Sequence, residues 1–409
     1  MELESLPEGW ELKRMTELCE KITSGGTPLT SKTEYYNGDI PWAITEDITS
    51  SDMYIKQTKK KITKKGINNS SAKLFPKGTL LLTMYGTVGK VAITEVEMAT
   101  NQAILGLIPK KQVDTLYLYY FLKSFENKWQ NFMRTTTQSN INATIVKRLL
   151  VPIPPLEEQK KIVEILQFAD YLKERRKEAI KLIDKIVMSL FYDMFGDPAT
   201  NPKGWEVKKI GNIIEDIKSG FAYGKFNKER GIPQLRPYNI TEDGKLDLST
   251  LKYVPDTKKN IEGYYLKTGD IIFNNTNSPE LVGKTTIFKS DLDCVFSNHL
   301  TRIRLDETKA TPAYIKQLFN YLWLKRVFQN RCHQWVNQAS INNKNLRELE
   351  ILLPPLDLQQ EFTEIVSKLE DKRKQMEEAE EKLEMLYQIL LKQAFTGKLT
   401  EEWRWHQKF

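Results

Sequence analysis

The run SPELVGKT, Ser278 to Thr285, closes on Gly-Lys-Thr in the manner of a phosphate-binding loop, so nucleotide chemistry is the first possibility it raises. Such a loop needs a glycine at its start, where the backbone turns back on itself, and a Ser or Thr hydroxyl directly after the lysine. Ser278 stands in the place of that first glycine. A matching run, YGTVGKV, has Gly86 too close to the lysine and Val91 where the hydroxyl belongs. A Gly-Lys turn between two strands, presenting backbone N–H groups and one cation to a nucleic-acid phosphate, accounts for both copies, with a plain hairpin turn as the alternative.

Other chemistries fare worse. Methyl transfer to an amino group needs an Asn or Asp before a Pro-Pro-aromatic loop, together with a Gly-rich turn for the methyl donor. The Pro-Pro pairs here read Ile153-Pro154-Pro155-Leu156 and Leu353-Pro354-Pro355-Leu356; they lack both the polar residue and the aromatic, and read as helix starts. Gly25 and Gly26 of SGGTP do not follow a strong strand in a βαβ pattern. A nuclease centre on Pro255-Asp256 with Lys258 and Lys259 lacks a second acidic residue for a metal, and His299, His333 and His406 form no ligand spacing. Cys19, Cys294 and Cys332 lie far apart, in no CxxC pair, and read as structural thiols. No catalytic or metal-binding constellation and no cofactor loop is left.

Polar side chains in matched loops remain. Asn or Gln reads adenine, Arg or Lys reads guanine, and apolar groups meet the thymine methyl. Candidates for that work are Ser24, Thr27, Trp42, Thr83, Tyr85, Lys90, Asn101 and Gln102 in the first half of the chain. Those in the second half are Ser219, Tyr223, Arg236, Tyr238, Asn274, Asn275, Lys284, Asn298 and His299. Each competes with a plainer role: Trp42 and Tyr85 as core aromatics, Asn101 and Asn298 as backbone caps. A net charge of +8 favours a polyanionic partner such as nucleic acid, with its densest stretch at KQTKKKITKK, Lys56 to Lys65, where a solvated edge is the competing role.

The elements that carry these residues are written twice. NINATIVKRLLVPIPPLEEQKKIVEIL, from Asn140, and SINNKNLRELEILLPPLDLQQEFTEIV, from Ser340, keep Gln138, Ile141, Asn142, Leu149, Pro154, Pro155, Leu156, Gln159, Glu164 and Ile165 identical 200 positions later. PEGWELKRMTELCEKITSG from Pro7 matches PKGWEVKKIGNIIEDIKSG from Pro202, and ATNQAILGLIP matches FSNHLTRIRL. The offset drifts between 191 and 200, which puts the insertions between blocks, as in the loops of a duplicated domain.

Each repeat has two textures. Short β-rich runs punctuated by Gly, Pro, Asn and Thr, with short helical stretches, predict a mixed α+β domain. After each Pro-Pro pair the chain has no Gly or Pro until Gly196 or Gly397, which predicts a long helix. Apolar positions Ile162, Leu166, Ala169, Leu172, Ala179, Ile183, Ile186 and Leu190, and Phe362, Ile365, Leu369, Met376, Ala379, Leu383, Leu386 and Leu390, step by three and four, interrupted by Arg176 and Lys372. Such seams predict a coiled coil, each helix a rod of roughly 60 Å. Each seam needs a partner, and the other copy is the nearest; antiparallel pairing, with a pseudo-twofold relation, is the arrangement expected, with parallel pairing also able to cover the seam. Charged faces such as Lys173, Glu174, Arg175 and Lys177, or Glu377 and Glu378, are left for partners or solvent. The boundaries expected are 1–153 and 198–353 for the mixed domains, with 154–197 and 354–409 for the helical regions.

No apolar run reaches the roughly 18 residues of a spanning helix, and MELESLPEGWEL is acidic without an apolar signal core, so a cytoplasmic protein is expected. Two related but unequal readers suit an asymmetric, interrupted site on double-stranded DNA. The order of globular domain, Pro-Pro-Leu-x-x-Gln helix, globular domain, Pro-Pro-Leu-x-x-Gln helix resembles the specificity subunit of a Type I restriction-modification system over essentially the whole chain. GWELKRMTEL, GWEVKKIGNI and LLKQAFTGKLTEEW carry the same likeness. The resemblance implies a non-catalytic chain with two target-recognition domains and two conserved helical regions that dock two modification subunits. It places S-adenosylmethionine and adenine methylation on those subunits, and ATP and Mg on a separate restriction and translocation subunit. A self-sufficient adenine methyltransferase and a structural coiled-coil scaffold are the competing readings.

Overall fold

The computed structural model describes residues 6–126, 128–129, 141–224, 230–255, 260–334 and 338–407. Gln138 and Asn140 of the repeat, and Asp256, Lys258 and Lys259 of the nuclease reading, lie outside them. The chain forms two compact units, one of Met1–Arg176 with Ala379–Phe409, the other of Lys177–Glu378.

In the first unit a five-stranded sheet runs in the order Cys19–Ser24, Ile104–Pro109, Leu80–Thr83, Val91–Thr94, Tyr54–Ile55. All its pairings are antiparallel except the last. Leu80, Leu82, Leu105 and Leu107 alternate onto the main core, while Leu81 and Ile104 face a second, smaller one. A second sheet pairs Trp42 and Ala43 in parallel with Ala99 and Thr100. Glu11–Arg14 closes the domain against Leu150–Ile153, the strand that leads into the Pro-Pro pair.

The second unit follows the same plan. Ile214–Ser219, Leu300–Leu305, Ile271–Asn274 and Thr285–Ile287 form the main antiparallel sheet. Gln234 and Leu235 pair in parallel with Val295 and Phe296, and Glu206–Lys209 closes on Glu350–Leu353. An additional three-stranded sheet joins Thr276–Asn277, Ala339–Ser340 and His333–Gln334.

The two long helices are Leu156–Phe195 and Leu356–Ala394. Each begins on the same latch. Gln159, fully buried, accepts from the Asp114 amide at 2.9 Å and donates to the Pro154 carbonyl at 2.9 Å. Gln359 accepts from the Thr311 amide at 3.0 Å and donates to the Pro354 carbonyl at 2.8 Å. Pro-Pro-Leu-x-x-Gln is therefore a joint: the prolines start the helix, and the glutamine, one turn in, ties it to the globular part.

The helices pair antiparallel within each unit. In the first, Lys173 meets Glu384 at 2.6 Å, and Glu158, near the start of one helix, receives the Thr400 hydroxyl from beyond the end of the other at 2.6 Å. In the second, Asp184 meets Arg373 at 3.3 Å, and Phe191 and Phe195 pack edge-on against Phe362. The helix end that covers a domain comes from the opposite copy. Phe395 packs on Tyr117 and Phe121, as Phe195 packs on Tyr314. Burial of each such ring stabilises its unit by about 1.5–3 kcal/mol.

The seam differs from the heptad reading. Leu172, Ile186 and Leu386 are 40%, 44% and 49% exposed, whereas Lys173, expected on an outer face, is turned inward onto Glu384. A straight helix advances 3.6 residues per turn, so a strict heptad drifts off the contact line unless the helices supercoil to hold it. Here Tyr387, Leu391, Val187 and Phe191 occupy the line instead. Phe168, Tyr171, Met385 and Ile389 are left exposed in the first unit, at 62%, 54%, 68% and 51%.

The cysteines behave as structural thiols. Burial pushes Cys19 and Cys294 up to about 12, while Cys332 is only partly buried. The thiolate is the nucleophile. Iodoacetamide at roughly pH 8, near the ordinary thiol pKa, is expected to label Cys332 and spare the other two until the chain unfolds. Peptide mass spectrometry checks this, and native labelling of Cys294 would show its burial to be wrong.

Candidate nucleic-acid interface

The Gly-Lys turns are hairpin closures. Gly89 donates to the Thr83 carbonyl at 2.9 Å, and Gly283 to the Asn274 carbonyl at 2.9 Å. Both glycines have positive φ, +88° and +100°, and a Cβ would strike Trp129 or Phe328. The turn thus needs glycine for its backbone and for a close approach to an aromatic ring. The two glycine amides are spent inside the fold, in keeping with the alternative of a plain hairpin turn. Neither lysine is presented as a free cation. Lys284 is buried and donates to the Ile240 carbonyl at 2.6 Å, and burial lowers its pKa; Lys90 forms an ion pair with Glu126.

Several other candidates also build the loops. Trp42 is 5% exposed, donates through Nε1 to the Gly26 carbonyl at 3.1 Å and packs with Ile62, Ala72 and Ala99. Thr83 is buried; its hydroxyl donates to the Thr87 carbonyl and accepts from the Lys90 amide at 3.0 Å. Asn274 donates to the Leu281 carbonyl at 3.0 Å, bracing the turn from within. Asn275 donates to Thr301 at 2.9 Å and accepts from Thr276 at 2.7 Å, and Ser219 joins the same network through Asn343 at 3.1 Å. Asn101 caps the Ala103 amide at 3.1 Å, and Ser24 ends its strand half-buried.

The remainder face outward. In the second unit, Arg236, Tyr238 and His299 line one cleft of roughly 530 Å³, with the buried Lys284 in its wall beside Pro237, Thr276, Asn277, Ser278, Leu281 and Gln338. Tyr238 is 46% exposed. The Arg236 amide is capped by Asn239 at 2.9 Å, and its guanidinium makes a long contact of 3.4 Å with the Tyr223 carbonyl, which brings Tyr223 to the rim. Burial, and then the charge of Arg236, lower the pKa of His299, so at neutral pH the imidazole is uncharged and offers one donor and one acceptor. Asn298, beside it in sequence, is exposed.

In the first unit Thr27 donates to the exposed Gln102, and Tyr85 is 41% exposed. The Met84 amide donates to the Ala103 carbonyl at 2.8 Å, which sets the turns bearing Tyr85 and Gln102 side by side. The same bond in the second unit runs from Asn275 to His299 at 3.0 Å. Backbone register therefore equates Ala103 with His299 and Gln102 with Asn298, one residue off the match of ATNQAIL with FSNHLTR.

Sequence reasoning passed over Thr276, Asn277, Ser278 and Gln338. The polar run NNTNSPE and the repeated Gln338 were the available signals. What places them is the small sheet of Thr276–Asn277 with Ala339–Ser340, a pairing across more than 60 residues that no local pattern shows. Among the described residues no cluster of three or more His, Cys, Asp or Glu could hold a metal, and no helix is long and apolar enough to cross a membrane.

One scaffold used twice, with outward polar loops in each unit, agrees with a family model. The Type I restriction modification DNA specificity domain matches residues 7–182 and again 202–385. The chain belongs to that family. It resembles the Type I restriction enzyme MjaIX specificity subunit of Methanocaldococcus jannaschii, 28% identical over 393 residues that cover 90% of this chain and 88% of that protein. It also resembles the EcoKI specificity subunit of Escherichia coli K12, 24% identical over 98% of this chain and 91% of that one. A solved structure described by complex assembly and conformational transition of the type I R-M system shares the fold, with a TM-score of 0.64 at 20% identity over 97% of this chain and 100% of that chain. The Type I S subunit of M. genitalium gives 0.51 at 15%, over 97% and 98%. As a member of this family the chain is a DNA-specificity subunit with two recognition domains, not a self-sufficient methyltransferase or a structural scaffold.

Proposed function

We propose that each domain reads one half of an asymmetric, interrupted DNA site, the second through Arg236, Tyr238, His299 and Asn298 with Thr276, Asn277 and Gln338, the first through Tyr85, Gln102 and Thr27. The observation that carries this reading is a contrast between scaffold and cleft. Gln159 and Gln359, Tyr117 and Tyr314, and Gly89 and Gly283 make the same contacts in both units. The cleft residues differ. Tyr85 falls where Thr276 does, and Gln102 where Asn298 does, so a common frame presents unequal donors and acceptors to two half-sites.

Specificity subunits of Type I systems work with methyltransferase and restriction subunits and bind DNA. In this chain the exposed Phe168, Tyr171, Met385 and Ile389 are the apolar surface we assign to a modification subunit, with two such subunits per chain. S-adenosylmethionine, ATP and Mg belong to those partners. Chromosomal DNA as the target puts the chain in the cytoplasm.

Base-resolution mapping of N6-methyladenine tests the reading, in a host carrying a compatible modification subunit, with and without this chain. A two-part interrupted motif is expected only with it. Removing one heptad from each long helix, at equivalent positions, is expected to change the spacer and leave both halves intact, since each turn of helix adds about 5.4 Å. An unchanged methylome despite a demonstrable complex would defeat the proposal; an unchanged spacer would defeat the helices as its ruler.

A further inference from the structure

The two units can be compared side chain by side chain where the globular part meets the helix pair. Helix Thr115–Lys123 and helix Pro312–Leu324 start on equivalent residues, Asp114 and Thr311, each bonded to its latch glutamine. Tyr117 and Tyr314 donate to the carbonyls of Pro152 and Leu352. Tyr119 and Tyr120 therefore correspond to Lys316 and Gln317. On the long helices the ion pair Lys173–Glu384 corresponds to Arg373–Asp184, so Tyr387 corresponds to Val187.

In the first unit these places are filled. Tyr119, Tyr120 and Tyr387 are buried, the first two edge-on at 5.2 Å, with Lys173 lying 3.9 Å over the Tyr387 ring. Asp170 receives the Tyr120 hydroxyl at 2.9 Å and Lys123 at 3.2 Å. In the second unit three tyrosines become Lys, Gln and Val, and a cavity of roughly 610 Å³ opens. Ile183, Val187, Ile287, Trp323, Leu324 and Val366 give it apolar walls.

Among the described residues the charges around it are paired, except for Lys316 and the solvent-exposed Glu242. Lys245 is held by Asp184 at 2.8 Å and by Asp243, Arg373 by Asp184, and Lys289 by Glu370. Lys316, partly buried, forms no hydrogen bond or ion pair among the described residues. Burial lowers its pKa, the sign of an ammonium lacking solvation. Arg373 Nε is also buried without a hydrogen-bond acceptor, with the Glu377 carboxylate 3.6 Å away. An ammonium and a guanidinium N–H short of acceptors, in a space walled by aliphatic groups and an indole, call for an anion with an apolar body.

We infer that this cavity binds a small organic monoanion, its anionic group held by Lys316 and Arg373 and its apolar body against Val187, Ile183 and Trp323. Among the described residues of the first unit the equivalent place is filled by Tyr387 and Tyr119. The cavity stands apart from the reading cleft, although Glu242–Leu246 on its wall follow directly on Arg236 and Tyr238.

The probe is 8-anilinonaphthalene-1-sulfonate, an aromatic sulfonate that fluoresces on leaving water, titrated into the full chain. One saturable site is expected. Lys316→Met should weaken it by about tenfold or more, the loss of one charged hydrogen bond, with Lys316→Arg within a few-fold of the native chain. Val187→Tyr, which installs the first unit's own residue, should abolish binding with no loss in thermal midpoint. Absence of a saturable site, or equal binding by Lys316→Met and Val187→Tyr, overturns the inference. Loss in Val187→Tyr alone, with Lys316→Met unaffected, overturns the anion assignment and leaves an apolar void.

Discussion

Replacing Arg236 with alanine is expected to relax recognition at one base pair of the second half-site by about 1–3 kcal/mol and to leave the first half-site as selective as before. Arg236 lines the second cleft with Tyr238, His299 and Gln338, and Asn239 fixes its backbone, so truncation removes a reading group without disturbing the turn that carries it. The loss should be confined to cognate DNA. A duplex scrambled in the second half offers the guanidinium no base edge, and its affinity should change little.

A phosphate contact behaves differently. Lys60 and Lys61 are exposed in the basic run, whereas Lys59 and Lys65 are tied to Glu46 and Glu34. Lys60→Ala should weaken binding to every sequence alike and lower the salt slope by roughly one ion. Binding isotherms on cognate and half-scrambled duplexes at several salt concentrations separate the two. Equal losses on both duplexes for Arg236→Ala would remove it from the readers.

Much of this arrangement is legible in the sequence, and the part that is not has identifiable causes. The duplication, the mixed domains and the long helices follow from repeats and apolar periodicity, which are local or self-similar signals; the seams leave parallel and antiparallel pairing open, and the contacts of Lys173 with Glu384 and Asp184 with Arg373 settle it as antiparallel. The exposed Leu172 and Leu386 show the limit of periodicity: apolar residues at heptad spacing do not say which of two adjacent faces meets the partner, and the pairing of Lys173 with Glu384 decides it. Trp42 shows another limit. An aromatic beside polar loops suits a base or a core equally well in one dimension, and only the Gly26 carbonyl within reach of its indole nitrogen assigns it to the core. The cleft is the least legible part, because Thr276 and Gln338 meet through strand pairings between distant segments, and the register of His299 slips by one residue against its repeat.

Gln359→Ala is expected to destabilise the second unit by about 2–6 kcal/mol, since it strips partners from two buried backbone groups and each orphan costs about 1–3 kcal/mol. The Thr311 amide would lose its acceptor and the Pro354 carbonyl its donor. Neither has an easy substitute. The Pro354 carbonyl precedes the helix, while the Pro355 carbonyl already accepts from Gln359's own backbone amide at 3.2 Å. Thr311 is buried under the helix it caps. Gln359→Glu restores the acceptor for Thr311 but turns a second oxygen on Pro354, so it should recover only part of the loss. Because each latch lies wholly within one unit, the effect should be local. Hydrogen exchange should show helix Pro312–Leu324 losing protection in Gln359→Ala with helix Thr115–Lys123 unchanged, and the reverse in Gln159→Ala. Equal loss in both helices from either substitution would mean that the two units unfold as one, and the latch would then report the stability of the whole chain and not of the joint it closes.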